Sequence, residues 1–119
     1  MNSSGNAGPW PPKPAAAFKA FSQSVFAEGA LSAKTKQLIA VAVAHVTQCP
    51  YCIRGHTRAA VRQEATAEEI MEAIWVAAEM RAGGTYAHSV VALDTIARDK
   101  AERARRPPVF PGVNAREQA

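Results

Sequence analysis

From the N-terminus, apolar side chains first take up a helical rhythm at Phe18, Phe21, Val25 and Phe26, recurring at three- and four-residue steps. This stripe predicts a helix from Ala15 to about Ala27 that ends near Glu28 and Gly29. Ser32 offers an N-cap to a second helix, in which Leu38, Ile39, Val41, Ala42, Val43, Ala44 and Val46 are apolar almost all round. A helix with no polar face is expected to be central. Pro50 disfavours helical geometry at Cys49 and suits the first position of a new helix. The second helix should therefore stop at Gln48-Cys49, and a third should run from Pro50 to about Gln63 with Cys49 at or beside its N-cap. Thr66 and Glu69 make a capping box that opens a fourth helix over Ala67 to Arg81, with Ile70, Ala73, Ile74, Ala77, Ala78 and Met80 in one stripe. Gly83-Gly84 reads as its stop, followed by a last helix from Thr85 to about Arg105 carrying Val90, Val91, Leu93, Ile96 and Ala97. The pattern predicts an all-α bundle of about five helices with no strands and no repeats.

Residues 1–14 hold four prolines and residues 107–119 three more, so both segments are expected to be flexible arms around a domain at 15–106. Composition agrees with the helical reading: 26 of the 119 residues are alanine, the strongest helix former and a residue depleted in strands. Small side chains bury little area each, so such a domain gains by adding subunit interfaces, and a homo-oligomer is expected.

Fourteen basic against ten acidic residues give a net charge of +4, short of a nucleic-acid footprint. The densest basic run, Arg98 to Arg106, is interleaved with Asp99 and Glu102, lacks aromatic stacking platforms and reads as a solvated helix end. No nucleic-acid partner is expected. The N-terminus has neither the basic nor the apolar region of a secretory signal, and the longest apolar run, Leu38 to Val46, is nine residues. A cytoplasmic protein without a membrane span follows as the expectation. In a reducing cytosol two closely spaced cysteines are redox-active or metal-binding rather than scaffolding.

Those cysteines lie in Cys49-Pro50-Tyr51-Cys52-Ile53-Arg54-Gly55-His56, a CxxCxxxH pattern at a helix start. At about 100° per residue, Cys52 lies about 60° and His56 about 20° around the axis from Cys49, so the three share one stripe. Arg54, Arg58 and Arg62 fall on the opposite, solvated side, leaving the cysteines facing inward or into a cleft. The helix N-terminus, the imidazole of His56 and the CxxC arrangement itself all favour thiolate. The spacing also lets the sulfurs close a disulfide, so that one attacks an oxidant and the other resolves the product. The helix end favours Cys49 as the attacking sulfur and the position of His56 one turn away favours Cys52; the balance goes to Cys52.

Two other readings of the motif are a non-catalytic, redox-responsive oligomer or interaction module and a zinc-binding structural domain with His45 or His88 as fourth ligand. Donors on one helical stripe do not enclose an ion without a further segment, so no metal is expected. A c-type haem would need histidine where Ile53 stands, and no cofactor is expected. His45 reads as a hydrogen-bonded core histidine.

The run from Lys34 to Ala44 leading to Cys49-Pro50-Tyr51-Cys52 and His56-Thr57 resembles the AhpD-like alkylhydroperoxidase family of the carboxymuconolactone decarboxylase superfamily. So do Glu72-Ala73-Ile74, Met80, Ala82-Gly83-Gly84 and His88; the resemblance covers about residues 15–100. It implies an all-α fold, trimers or hexamers, and reduction of small hydroperoxides by thiols, with a dithiol donor such as a lipoyl-type protein regenerating the pair. It also implies Cys49 as resolving cysteine, Cys52 as peroxidatic cysteine and His56 as proton-relay histidine. Where the family commonly has a relay glutamate this chain has Gln37, and where it has a second relay histidine it has Tyr51. Gln37 cannot take up a proton as a carboxylate does, which makes Glu72 the candidate substitute acid. The decarboxylase branch does not rely on such a cysteine pair, so its presence argues against lactone decarboxylation.

Overall fold

Each helix begins where a side chain or a proline deals with the unpaired amides of its first turn. The computed structural model describes residues 9–107, and these form four α-helices and no strand. Helix α1 (Pro12–Phe26) opens with Pro11 as N-cap, and its first intrahelical bond runs from the Ala15 amide to the Pro11 carbonyl at 3.2 Å. Proline is tolerated in a first turn because its missing N–H would have had no partner there. The helix therefore starts three residues before the Ala15 expected from the apolar stripe. The expected terminal arms lie mostly outside the described residues.

Helix α2 (Ala33–Thr47) is capped by Ser32, whose Oγ accepts from the Thr35 amide at 3.1 Å. It ends at Gln48 in the left-handed region (φ 57°, ψ 47°), and Cys49 immediately caps α3 (Pro50–Arg62). Thr66 and Glu69 form the anticipated capping box in both directions: the Glu69 amide donates to Thr66 Oγ1 at 3.1 Å, and the Thr66 amide to Glu69 Oε1 at 2.9 Å.

Helix α4 (Ala67–Arg105) corrects the sequence reading. Gly83 and Gly84 do not stop it, so there are four helices among the described residues and not five. A glycine costs about 1 kcal/mol in a helix interior relative to alanine, which strong helix formers on both sides can outweigh. Termination at glycine also requires the chain to enter the left-handed region, and here the helical backbone continues through Thr85, whose hydroxyl donates to the Arg81 carbonyl at 2.9 Å.

The chain divides into two units, Met1–Met80 and Arg81–Ala119. In the first, α2 packs chiefly against α3, and α1 packs against α2. The core is small: Val41, Ala60, Ala65 and Ile70 are buried together, with Leu38 and Ile74 against them. Of the six buried hydrophobic residues among the described ones, four are alanines, Ala44, Ala60, Ala65 and Ala77, small enough to let helix backbones approach closely. Helix α2 is central to this packing but is not enclosed, since Ile39, Val43 and Val46 remain about half exposed within the chain. In the second unit the described part is the continuation of α4, with Asp94–Arg98 and Asp99–Arg103 ion pairs one turn apart. The basic run at its end is solvated, as its interleaved acids anticipated. Among the described residues no helix is long and apolar enough to cross a membrane.

Lys34 bridges to Glu69 at 2.7 Å and so joins the start of α2 to the start of α4. The Lys34 ammonium first, and the Thr66 amide second, hold the Glu69 carboxyl below its ordinary value of 4.5. A carboxylate lowered in the folded state adds stability that is fully present above its unfolded pKa and is lost as pH falls through the folded one. Wild type should therefore be more stable to urea than Glu69→Ala at pH 7, with the gap narrowing once pH drops below about 4.5. A gap that stays constant from pH 7 to pH 3 would count against this role for the ion pair.

Candidate functional site: a disulfide and a histidine at an apolar cleft

The reversal between α2 and α3 takes two residues. Gln48 turns the chain through the left-handed region, and the Cys49 amide donates back to the Ala44 carbonyl at 3.1 Å, closing the end of α2. Pro50 then fixes the first residue of α3. Cys49 is the N-cap, and its sulfur accepts from the Cys52 amide at 3.3 Å, so one sulfur satisfies a first-turn donor of the helix that carries the other. The two cysteines form a disulfide across that turn, with Cα atoms 5.3 Å apart.

One turn further, His56 projects between α1 and α2. Its ring stacks on Phe26 of α1, centroids 5.0 Å apart and planes 27° from parallel. Its Nδ1 lies 2.8 Å from Oε1 of Gln37 on α2. Three helices thus fix one imidazole. Cys52 and His56 both line a cleft of about 410 Å³ whose other walls include Val25 and Phe26 of α1 and Ile39, Ala40 and Val43 of α2. Cys49 is not among the residues lining it, so the Cys52 side of the disulfide is the one presented to the cleft.

Of the residues singled out from the sequence, Cys49, Cys52, His56 and Gln37 come together. Tyr51 does not join them: it is 82% exposed, with the Arg54 guanidinium 5.5 Å above its ring. Glu72 is exposed on α4 and is not among the cleft residues; the hydrogen-bond partner of His56 is Gln37. His45 bonds through Nδ1 to the Val41 carbonyl at 2.7 Å, four residues back on its own helix. His88 is exposed on α4. Among the described residues no three His, Cys, Asp or Glu side chains gather so as to hold a metal ion.

Residues 12–95 match the model of the carboxymuconolactone decarboxylase family. The chain belongs to that family. A curated relative, uncharacterized protein 4 in cox locus of Paracoccus denitrificans, is 70% identical over 77 residues, which make up 65% of this chain and 69% of that protein. A solved structure from Methanobacterium thermoautotrophicum is 36% identical with a TM-score of 0.64, the match covering 68% of this chain and 91% of that one. An apo carboxymuconolactone decarboxylase family protein from Legionella pneumophila is 40% identical with a TM-score of 0.57, over 58% of this chain and 62% of its own. The all-helical architecture is therefore that of the carboxymuconolactone decarboxylase family.

Sequence reading missed two contributors to the cleft. Phe26 was legible only as part of the α1 stripe, although it supplies the ring on which His56 rests. Lys36 lines the cleft and donates to the Val25 and Ala27 carbonyls at 2.9 and 2.7 Å, so a side chain of α2 caps the end of α1. The spacing of Lys36, Ala40, Ala44 and Thr47 marked this face of α2, but the apolar residues all round the helix obscured it. Lys36→Met keeps the stem and removes both hydrogen bonds; the expected loss is about 1 kcal/mol in urea unfolding, with faster proteolysis in the α1–α2 connection. Unchanged proteolysis and stability would show that α1 is held without the ammonium.

Proposed function

We propose that this protein is a thiol-dependent hydroperoxide reductase of the AhpD-like kind. The observation that carries the proposal is the meeting of Cys52, already bonded to Cys49, and His56 in one apolar cleft. Family membership and the resemblance of the CxxCxxxH segment support the same reading.

In the reduced protein, His56 takes the Cys52 proton and the thiolate attacks the outer oxygen of a hydroperoxide, ROOH. The O–O bond breaks, ROH leaves with the proton returned by His56, and Cys52 becomes a sulfenic acid. The Cys49 thiol displaces that hydroxyl as water, giving the disulfide. One hydroperoxide is reduced by two electrons as two thiols are oxidised. A dithiol donor, of the lipoyl-protein type by resemblance, then exchanges with the disulfide to restore both thiols. The apolar walls suit an organic R group.

Reduced wild type should consume an organic hydroperoxide with one Cys49–Cys52 disulfide formed per molecule reduced. Cys52→Ser should abolish this, and His56→Asn should slow it by roughly 100-fold or more. Turnover by Cys52→Ser equal to wild type would sink the proposal. Slow oxidation accompanied by a change in assembly size would favour the redox-responsive module instead.

The proposal extends to self-assembly. Phe18 and Phe21 on α1, Trp75 and Met80 in the first part of α4, and Val90, Leu93 and Ile96 in its second part are each more than half exposed in the single chain. That much open apolar side chain is covered most simply by further copies, as the trimers or hexamers of the resemblance imply. Light scattering at micromolar concentration should report a trimer or hexamer; a monomer there would remove this part of the reading.

A further inference from the structure

We infer that Gln37 is a positioning residue that selects the tautomer of His56, holding the proton on Nδ1 and leaving Nε2 as the only acceptor of the ring. The inference rests on the reductase reading for its consequence but not for its test. The atom of Gln37 facing His56 Nδ1 at 2.8 Å is Oε1, a carbonyl oxygen that can only accept, so Nδ1 must donate. In a neutral imidazole, a proton on one nitrogen leaves the lone pair on the other. The Phe26 ring stacked on His56 restricts the plane in which that lone pair points. A base for Cys52 needs this tautomer, because the opposite one presents an N–H at Nε2.

Gln37 does something a carboxylate at the same place would not. An amide carbonyl orients the ring without adding charge, whereas a carboxylate also stabilises the imidazolium form. The charged and titratable groups around His56 can be named. Lys36 of α2 and Cys52 of α3 line the same cleft, Arg54 and Arg58 of α3 are exposed, and the groups in direct contact with the ring, Gln37 of α2 and Phe26 of α1, are neutral. Among the described residues Lys36 is the one cation lining the cleft, and its ammonium donates to the Val25 and Ala27 carbonyls. Among the described residues no carboxylate lines the cleft. Thiol activation is thus a proton transfer to a neutral base set in place by an amide.

Two measurements on the full chain test this, and neither uses peroxide. In nitrogen-15-labelled histidine spectra above pH 8, the His56 signals, identified by their loss in His56→Asn, should show a protonated Nδ1 and an unprotonated Nε2; Gln37→Leu should shift the ring toward the Nε2-protonated form. In the reduced protein, the pH profile of Cys52 alkylation by iodoacetamide should move about one unit lower in Gln37→Glu, because the new carboxylate favours imidazolium and hence thiolate. Circular dichroism of each variant should match wild type. An Nε2-protonated His56 in wild type, a tautomer unchanged in Gln37→Leu, or an alkylation profile unmoved in Gln37→Glu would each overturn the inference. If these results hold while hydroperoxide is not consumed, the reductase reading falls and the tautomer assignment stands.

Discussion

The geometry of the cleft hangs on the two-residue reversal at Gln48 and Cys49, because it sets where α3 begins relative to α2 and therefore where its side chains point. Gln48 accepts a left-handed backbone conformation, unfavourable for a residue with a Cβ by the order of 1–2 kcal/mol, and the return bond from the Cys49 amide to Ala44 helps to hold it there. Pro50 contributes a fixed φ and no competing donor. A longer connection would let α3 slide along α2, and the contact between Gln37, near the start of one helix, and His56, in the middle of the other, depends on that register. The same reversal places Cys49 at the N-cap, so the position that must satisfy a first-turn amide is also the position from which a sulfur reaches Cys52.

Close approach of these helices is a property of their alanines. Ala60 of α3 is fully buried beside Val41 of α2, and Ala44 of α2 is buried beside the cleft, positions at which larger side chains would need more room. The core this leaves is thin, with Val41 as its only fully buried large side chain among the described residues. At roughly 25 cal/mol per Å² of apolar surface removed from water, so small a core contributes little by itself. The exposed apolar side chains of α1 and α4 are the counterpart of that thinness. Burying them against other copies, as the proposed self-assembly would, adds apolar area that the single chain leaves open.

What could be read from the sequence divides along the range of the interactions involved. The starts of α2, α3 and α4 are legible because caps are local: Ser32, Cys49-Pro50 and Thr66 with Glu69 each act within four residues, whereas α1, opened by prolines, begins at Pro12 ahead of its apolar stripe. The common stripe of Cys49, Cys52 and His56 was legible because it follows from helical periodicity alone. The extent of α4 was not, because Gly83-Gly84 is a permissive signal whose outcome depends on the residues on both sides. Nor were Phe26 and Lys36, whose roles arise between helices. Gln37 departs in the sequence from the glutamate of the resembling family, which points to Glu72 as the substitute acid, yet Glu72 is exposed and does not line the cleft. The contact of Gln37 with His56 spans nineteen positions and could not be derived from spacing.

That contact changes what a departure from the glutamate means on the proposed reaction. A carboxylate beside the imidazole provides a second place where a proton can rest, so a proton taken from Cys52 can be passed away from the site. An amide carbonyl provides none. The proton taken by His56 then has one destination within the cleft, the oxygen of the departing alcohol, and the transfer from sulfur to oxygen is closed on a single residue. Such a cycle needs no proton exit through the apolar walls of Val25, Phe26, Ile39 and Val43. An apolar cleft and an uncharged orienting residue are thus mutually consistent, since a carboxylate at the half-buried position of Gln37 would carry part of a desolvation cost that the amide avoids.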